Sequence, residues 1–261
     1  MAILPKGGNT ISQRNKIRIR SLSDLVALEP PSWLVKEYLP NQALVTLYGA
    51  PGCGKSFLAL DLAMSVTTAS EWLDRDAESG GAIYIACEAI AGLPRRVAAW
   101  SKHRGVSLDT DNVPFHFTTE FNELITPAST IDLIEAAQRD IPNKKIKVII
   151  LDTLSRTLGG MDENSAGEMN KALNNLEAIR NTFGATVVVI HHTSKYGDLE
   201  RGSTVLRGAC DTMLHLKRDG GTGGLKLEMT KQRDWEEAPP TQLYFKKVDD
   251  SAVLSMHKPE D

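Results

Sequence analysis

Apolar residues in this chain fall into two kinds of run that alternate along its length. The first kind is short and nearly continuous. Residues 43–48 read ALVTLY and are followed at once by glycine and proline, which predicts a strand ending in a turn. Residues 82–86, 148–151 and 186–190 have the same character, and 113–118 is a third strand in chain order. The stretch Val148-Ile-Ile-Leu151 is apolar throughout, as expected of a central parallel strand covered on both faces. The second kind is longer and has helical spacing. Between Lys55 and Val66 the residues Phe57, Leu58, Leu60, Leu62, Ala63 and Val66 predict a helix packed on a sheet. Further helices are predicted over 94–102, over 130–139 with Thr126 or Ser129 near the cap, and over 166–182. A short helix starts at Ser21-Leu-Ser-Asp24 and is broken by Glu29-Pro-Pro-Ser-Trp33.

Strands alternating with helices in this way imply a mainly parallel sheet in an α/β fold. The last third reads differently. Residues 211–217, 225–230, 242–246 and 252–256 are predicted strands joined by tight turns such as Asp219-Gly-Gly221, and are expected to add to the sheet edge in antiparallel fashion. No internal repeat or low-complexity segment interrupts the pattern.

Composition narrows the class. A chain of 261 residues with 41% hydrophobic and 24% charged residues suits one α/β domain with short extensions. A net charge of -3 excludes a wholly basic coat for nucleic acid, but leaves room for a small basic channel where subunits meet. The three cysteines, Cys53, Cys87 and Cys210, have no metal-site spacing and are expected reduced, in a cytoplasmic protein. Their expected role is small apolar filler; for Cys53, inside the glycine-rich segment described next, sensitivity to oxidants is the alternative. No apolar run reaches the ~20 residues that span a bilayer. The first twenty residues hold Lys6, Arg14, Lys16, Arg18 and Arg20 and no acid, so residues 1–20 are expected to form a flexible basic arm ahead of a single domain over 21–261.

The segment Gly49-Ala-Pro-Gly-Cys-Gly-Lys-Ser56 matches the phosphate-loop pattern G-x-x-x-x-G-K-[ST] in full. Glycines let the backbone curl so that successive N–H groups converge on phosphate oxygens, and the helix that opens there adds its positive end. The expected nucleotide-binding residues are therefore Gly49, Ala50, Pro51, Gly52, Cys53, Gly54, Lys55, Ser56 and Phe57. Lys55 would reach the β- and γ-phosphates, and the Ser56 hydroxyl would ligate Mg²⁺. The pattern sits between a predicted strand and a predicted helix, as this chemistry requires.

Strand tips supply the remaining candidates. Asp152 ends the run 148–151, where α/β ligands bind outside the carboxyl ends of strands, and is the expected second magnesium-side residue. Glu88 follows the strand 82–86 and is placed to act as general base on the attacking water. His192 follows the strand 186–190 and could sense the γ-phosphate. His191 is its rival, and strand alternation puts the two on opposite faces, so that only one reaches the site. As adjacent residues they make a poor metal chelate.

With these residues in place, the chain resembles RecA-fold P-loop ATPases, most closely the hexameric replicative helicases typified by the plasmid-encoded RepA protein. The resemblance covers roughly residues 30 to 235. It rests on Gly49–Ser56, Ile83-Tyr-Ile-Ala-Cys-Glu88, Leu151-Asp-Thr-Leu-Ser-Arg156, Asp162-Glu-Asn-Ser165, His191-His-Thr-Ser-Lys195 and Arg201-Gly-Ser-Thr-Val-Leu206. It implies a RecA-like P-loop NTPase core with antiparallel C-terminal strands, ATP and Mg²⁺ as ligands, Glu88 as base, Asp152 as magnesium-side acid and His192 as sensor. It also implies a homo-oligomer, a hexameric ring with ATP sites at subunit interfaces. The segment Ser194 to Leu206 would be a mobile loop facing a central channel. Its Lys195, Tyr196 and Arg201 suit single-stranded DNA by phosphate pairing and base stacking, while Asp198 and Glu200 suit an ordinary solvated loop. The segment Thr230-Lys-Gln-Arg233 resembles the K-x-R element whose lysine and arginine, here Lys231 and Arg233, reach a neighbouring subunit's ATP. In this sequence Asp234 and Trp235 follow, where relatives place small residues.

Two functions fit this reading: a helicase or translocase on single-stranded DNA, and an ATP-dependent recombination, loading or regulatory protein with the same core. A small-molecule kinase fits poorly, because no arginine-rich lid segment is evident.

Overall fold

The structure is a computed structural model that describes residues 19–28, 30–87, 90–109, 112–120, 126–142, 144–160, 162–193 and 204–259. The chain divides into two units, residues 1–31 and 32–261. In the first, helix α1 (Leu22–Val26) has Ser21 as its N-cap. The Ser21 side chain accepts the Asp24 N–H and the Asp24 carboxylate accepts the Ser21 N–H, a reciprocal capping box. Hydrogen bonds donated by the Ser21 N–H and the Ser21 hydroxyl hold the Asp24 carboxyl below its ordinary pKa.

The second unit begins with a small antiparallel pair, β1 (Trp33–Val35) and β2 (Leu39–Pro40), which the sequence pattern did not reveal. The chain then follows β3 (Leu44–Gly49), α2 (Lys55–Thr67), β4 (Gly81–Ala86), α3 (Leu93–Arg104), β5 (Phe115–Thr118), α4 (Pro127–Asp140), β6 (Ile146–Asp152), α5 (Leu154–Thr157), α6 (Ala166–Phe183) and β7 (Thr186–His192). It ends with α7 (Thr204–Ala209), β8 (Thr212–Arg218), β9 (Leu225–Gln232), β10 (Thr241–Val248) and β11 (Ser251–Ser255). Among the described residues, β3 to β11 form one nine-stranded sheet in the order β11-β10-β9-β8-β3-β7-β6-β4-β5.

From β8 to β5 every neighbouring pair is parallel, whereas β9, β10 and β11 add in antiparallel fashion. This corrects the expectation for residues 211–217. β8 lies inside the sheet and runs parallel to β3, because the chain crosses from β7 through α7 before entering it. α7 also cuts short the loop expected to run to Leu206, which is a fully buried helical residue.

Strand parity sorts the core into two layers. Val45, Leu47, Tyr84, Val148, Ile150, Val188 and Ile190 face the layer that holds α2 and α3. Leu44, Tyr48, Ile83, Ile149, Leu151, Val187 and Val189 face the layer that holds α4 and α6. β3, β4 and β6 are buried along their whole length, which explains their near-continuous apolar sequences. α2 is buried nearly all round, so its sequence is apolar on every side instead of striped. Local signals set the ends of the other helices. Thr126 accepts the Ser129 N–H at the start of α4, and Ser165 accepts the Glu168 N–H at the start of α6. Gly105 and Gly184, both with positive φ, close α3 and α6. Among the described residues no helix is long and apolar enough to cross a membrane.

Candidate nucleotide site

The carboxyl tip of β3 opens directly into the glycine-rich segment, and α2 begins at Lys55. Gly54, the N-cap, has φ 104°, and no side chain caps the helix. An uncapped helix N-terminus presents free N–H donors and a positive dipole end, which together make an anion site. The glycines have separate reasons for being there. A Cβ on Gly49 would lie 2.2 Å from the Leu216 carbonyl oxygen, so β3 and β8 could not approach. A Cβ on Gly54 would lie 2.9 Å from the Phe245 ring. Gly52 has φ 70° with nothing within 4 Å of an added Cβ, so there the backbone conformation alone calls for glycine.

Lys55 is buried at the foot of this loop, and its Nζ donates to the carbonyls of Gly49 and Ala50, each at 2.9 Å. The ammonium is thus held at the helix N-terminus, beside the loop amides. An ammonium, free helix amides and a curled loop are the donor set that a phosphate chain needs, so the residues present fit a nucleoside triphosphate. For magnesium the fit is of the kind that ion prefers. Asp152 and Ser56 supply a carboxylate and a hydroxyl, and phosphates would supply further oxygens. Among the described residues no group of three His, Cys, Asp or Glu side chains is arranged to hold a metal ion without such help.

Asp152 ends β6, and at 5% exposure its carboxylate is almost wholly withdrawn from solvent. By strand parity it faces the α2 layer, together with Val148 and Ile150. Its Oδ2 accepts a 2.7 Å hydrogen bond from the Tyr84 hydroxyl on β4, and its backbone carbonyl accepts the Cys87 N–H at 2.8 Å. Burial, then the charge and hydrogen bond of Asp152, push the Tyr84 pKa well up, while Arg96 and Ser56 pull the other way. The peptide bond between Asp152 and Thr153 is cis.

The two histidines separate as strand alternation requires. His191 is fully buried and pairs in register with Tyr48 on the α6 side. His192 is in register with Gly49, and the next residue, Thr193, donates its N–H to the Gly49 carbonyl. His192 therefore stands beside the first residue of the phosphate loop, on the α2 side.

Glu88, Lys195, Tyr196 and Arg201 lie outside the described residues. Lys231 and Arg233 do not both sit on a strand. The β8–β9 register shifts between Met213 and Leu214, β9 ends at Gln232, and Arg233 lies beyond it. Their side chains nevertheless converge. Lys231 Nζ donates to the carbonyls of Arg207 and Gly208, and Arg233 donates to those of Gly208, Ala209 and Cys210 at the C-terminal end of α7. Arg233 also pairs with Asp211, which accepts the Leu44 N–H at the root of β3. Burial, followed by the charge of Arg233, lowers the Lys231 pKa.

Three residues near the loop were missed from sequence. Arg96 on α3 stacks its guanidinium 4.4 Å from the Phe57 ring centroid, and Phe57 meets Phe245 of β10 edge-on at 5.5 Å. These side chains line a groove of about 860 Å³ beside the start of α2, with Arg95, Lys247 and Asp250 at its rim. Tyr84 is the third. Only its strand parity could have flagged it, and the grouping around Phe57 depends on elements far apart in the chain. Cys53 is buried, its thiol donates to the Leu216 carbonyl at 3.3 Å, and burial raises its pKa, so the environment opposes the reactive thiolate.

A phosphate loop at the tip of a buried parallel strand, with an acid-tipped strand two places away in the sheet, defines a RecA-fold P-loop ATPase core. The chain belongs to the AAA domain family, whose model matches residues 13–198. The crystal structure of the RadB recombinase superposes with a TM-score of 0.58 and 16% identity, covering 79% of this chain and 88% of that one, a likeness of fold. No curated protein matches the chain by sequence.

Proposed function

We propose that the protein is an ATP-hydrolysing motor that acts on single-stranded DNA as a helicase or translocase. It would work as a homo-oligomeric ring in the cytoplasm, in the manner of the RepA-type hexameric replicative helicases. The observation that carries the ATPase part is an uncapped α2 N-terminus with Lys55 held at its loop, on the same sheet edge and face as Asp152 and beside His192.

In this reading the amides of Gly49–Phe57 and the Lys55 ammonium hold the triphosphate, and the base lies in the groove between Arg96, Phe57 and Phe245. Ser56 and Asp152 would hold magnesium, which when bound neutralises charge on the β- and γ-phosphate oxygens. Glu88 takes the proton of the attacking water, and His192 responds to the γ-phosphate. Lys231 and Arg233 reach a neighbouring subunit's nucleotide. Their attachment to α7, in the layer opposite α2, supports action in trans over action on their own loop. Lys195 and Arg201 contact DNA phosphates.

The test is the ATPase rate with and without single-stranded DNA, followed on dilution. Stimulation by DNA, with a rate per subunit that falls as the assembly dissociates, is the expected result. A rate indifferent to both contradicts the motor. The second reading, an ATP-dependent recombination, loading or regulatory protein, draws support from the acidic balance of the chain and from the fold it shares with a recombinase. It predicts nucleotide-dependent DNA association without unwinding of a duplex.

A further inference from the structure

The Tyr84 hydroxyl is a buried polar group, and it donates to Asp152, one of the two residues assigned to magnesium. Its ring packs in the α2 layer beside Phe115 at 6.3 Å. Phenylalanine would fill that space equally well, so packing does not explain the oxygen.

The chemistry of the neighbours does. A carboxylate can swing about its last torsion and present either oxygen. The 2.7 Å bond from the phenol fixes Oδ2 of Asp152 and so fixes where Oδ1 points.

We propose that Tyr84 is a positioning residue for the magnesium site. It orients Asp152 through one hydroxyl, so that the carboxylate is set before the ion arrives. This rests on the proposed function, in which Asp152 and Ser56 hold magnesium. Groups that orient metal-holding residues typically change metal affinity 10- to 100-fold when removed. They leave metal-free binding of the partner ligand alone.

The experiment uses the full chain and the variant Tyr84→Phe, which keeps the ring and removes one atom. Binding of a fluorescent ATP analogue is measured in EDTA and then across a magnesium titration, and thermal melts check that both proteins are folded. The expected result is an EDTA affinity within about twofold of the parent and a magnesium midpoint raised about 10- to 100-fold. As a second measurement, Asp152→Asn should raise the midpoint by itself, and adding Tyr84→Phe to it should raise it no further. Equal midpoints for parent and Tyr84→Phe overturn the proposal. So does a proportional loss of affinity with and without magnesium, which would mark Tyr84 as structural. A parent chain that binds nucleotide with no response to magnesium defeats the underlying reading of Asp152 and Ser56 instead, and the two failures are told apart by the parent alone.

Discussion

Replacing Gly54 by alanine tests the idea that the phosphate loop is held in shape by packing from the far end of the chain. Two costs can be worked out. With φ at 104°, a residue bearing a Cβ is strained by about 1–2 kcal/mol. The added carbon would also lie 2.9 Å from the Phe245 ring and 3.3 Å from Leu225 Cδ1, an overpacking of about 1–3 kcal/mol. The sum is about 2–5 kcal/mol, or roughly 4–20 °C in melting temperature for a domain of this size. Urea and thermal unfolding of Gly54→Ala would give the total, and a cycle with Phe245→Leu would divide it. The smaller side chain makes room for the carbon, so the Phe245 share of the clash should disappear in the double variant while the Leu225 contact and the backbone portion stay. A loss below about 0.5 kcal/mol, or additive effects of the two substitutions, would refute the argument.

Other expectations can be checked in parallel. Lys55→Ala should weaken nucleotide binding roughly 30- to 4,000-fold, since it removes one partner of a buried charge pair worth about 2–5 kcal/mol, and equilibrium titration will show it. Arg233→Ala should shift stability by about 1 kcal/mol or less, because its pair with Asp211 is partly exposed. It should nonetheless slow hydrolysis by the assembled protein about a thousandfold or more if the guanidinium works in trans. Equal, small losses in both assays would reduce it to a helix cap. Cys53 should react with a thiol reagent slowly in the native protein, and only at a pH above the ordinary thiol range, because its raised pKa keeps it protonated. Fast labelling at neutral pH would contradict the burial argument.

The parallel core and the phosphate loop were legible from sequence because each depends on local information. Residues 43–48 and 148–151 are apolar enough to declare burial on two faces, and the glycines and Lys55 act within one turn of chain. The direction of β8 was not legible. A buried strand reads the same whether it runs with or against its neighbour, and the short α7 that reverses the chain is only six residues long. The pairing of Tyr84 with Asp152 spans 68 residues, and no local pattern reports it. The same holds for Arg96, Phe57 and Phe245, which come from three separate elements. His192 was separable from His191 once the pairing of β7 with β3 fixed its register against Gly49.

The account depends on a triphosphate being held at the N-terminus of α2. Calorimetric titration of the purified full chain with ATP and magnesium tests this most directly, with Lys55→Ala as the control. Saturable binding by the parent, lost in the variant, is the predicted result. No saturable binding of any nucleoside triphosphate, or equal binding by both proteins, would contradict it.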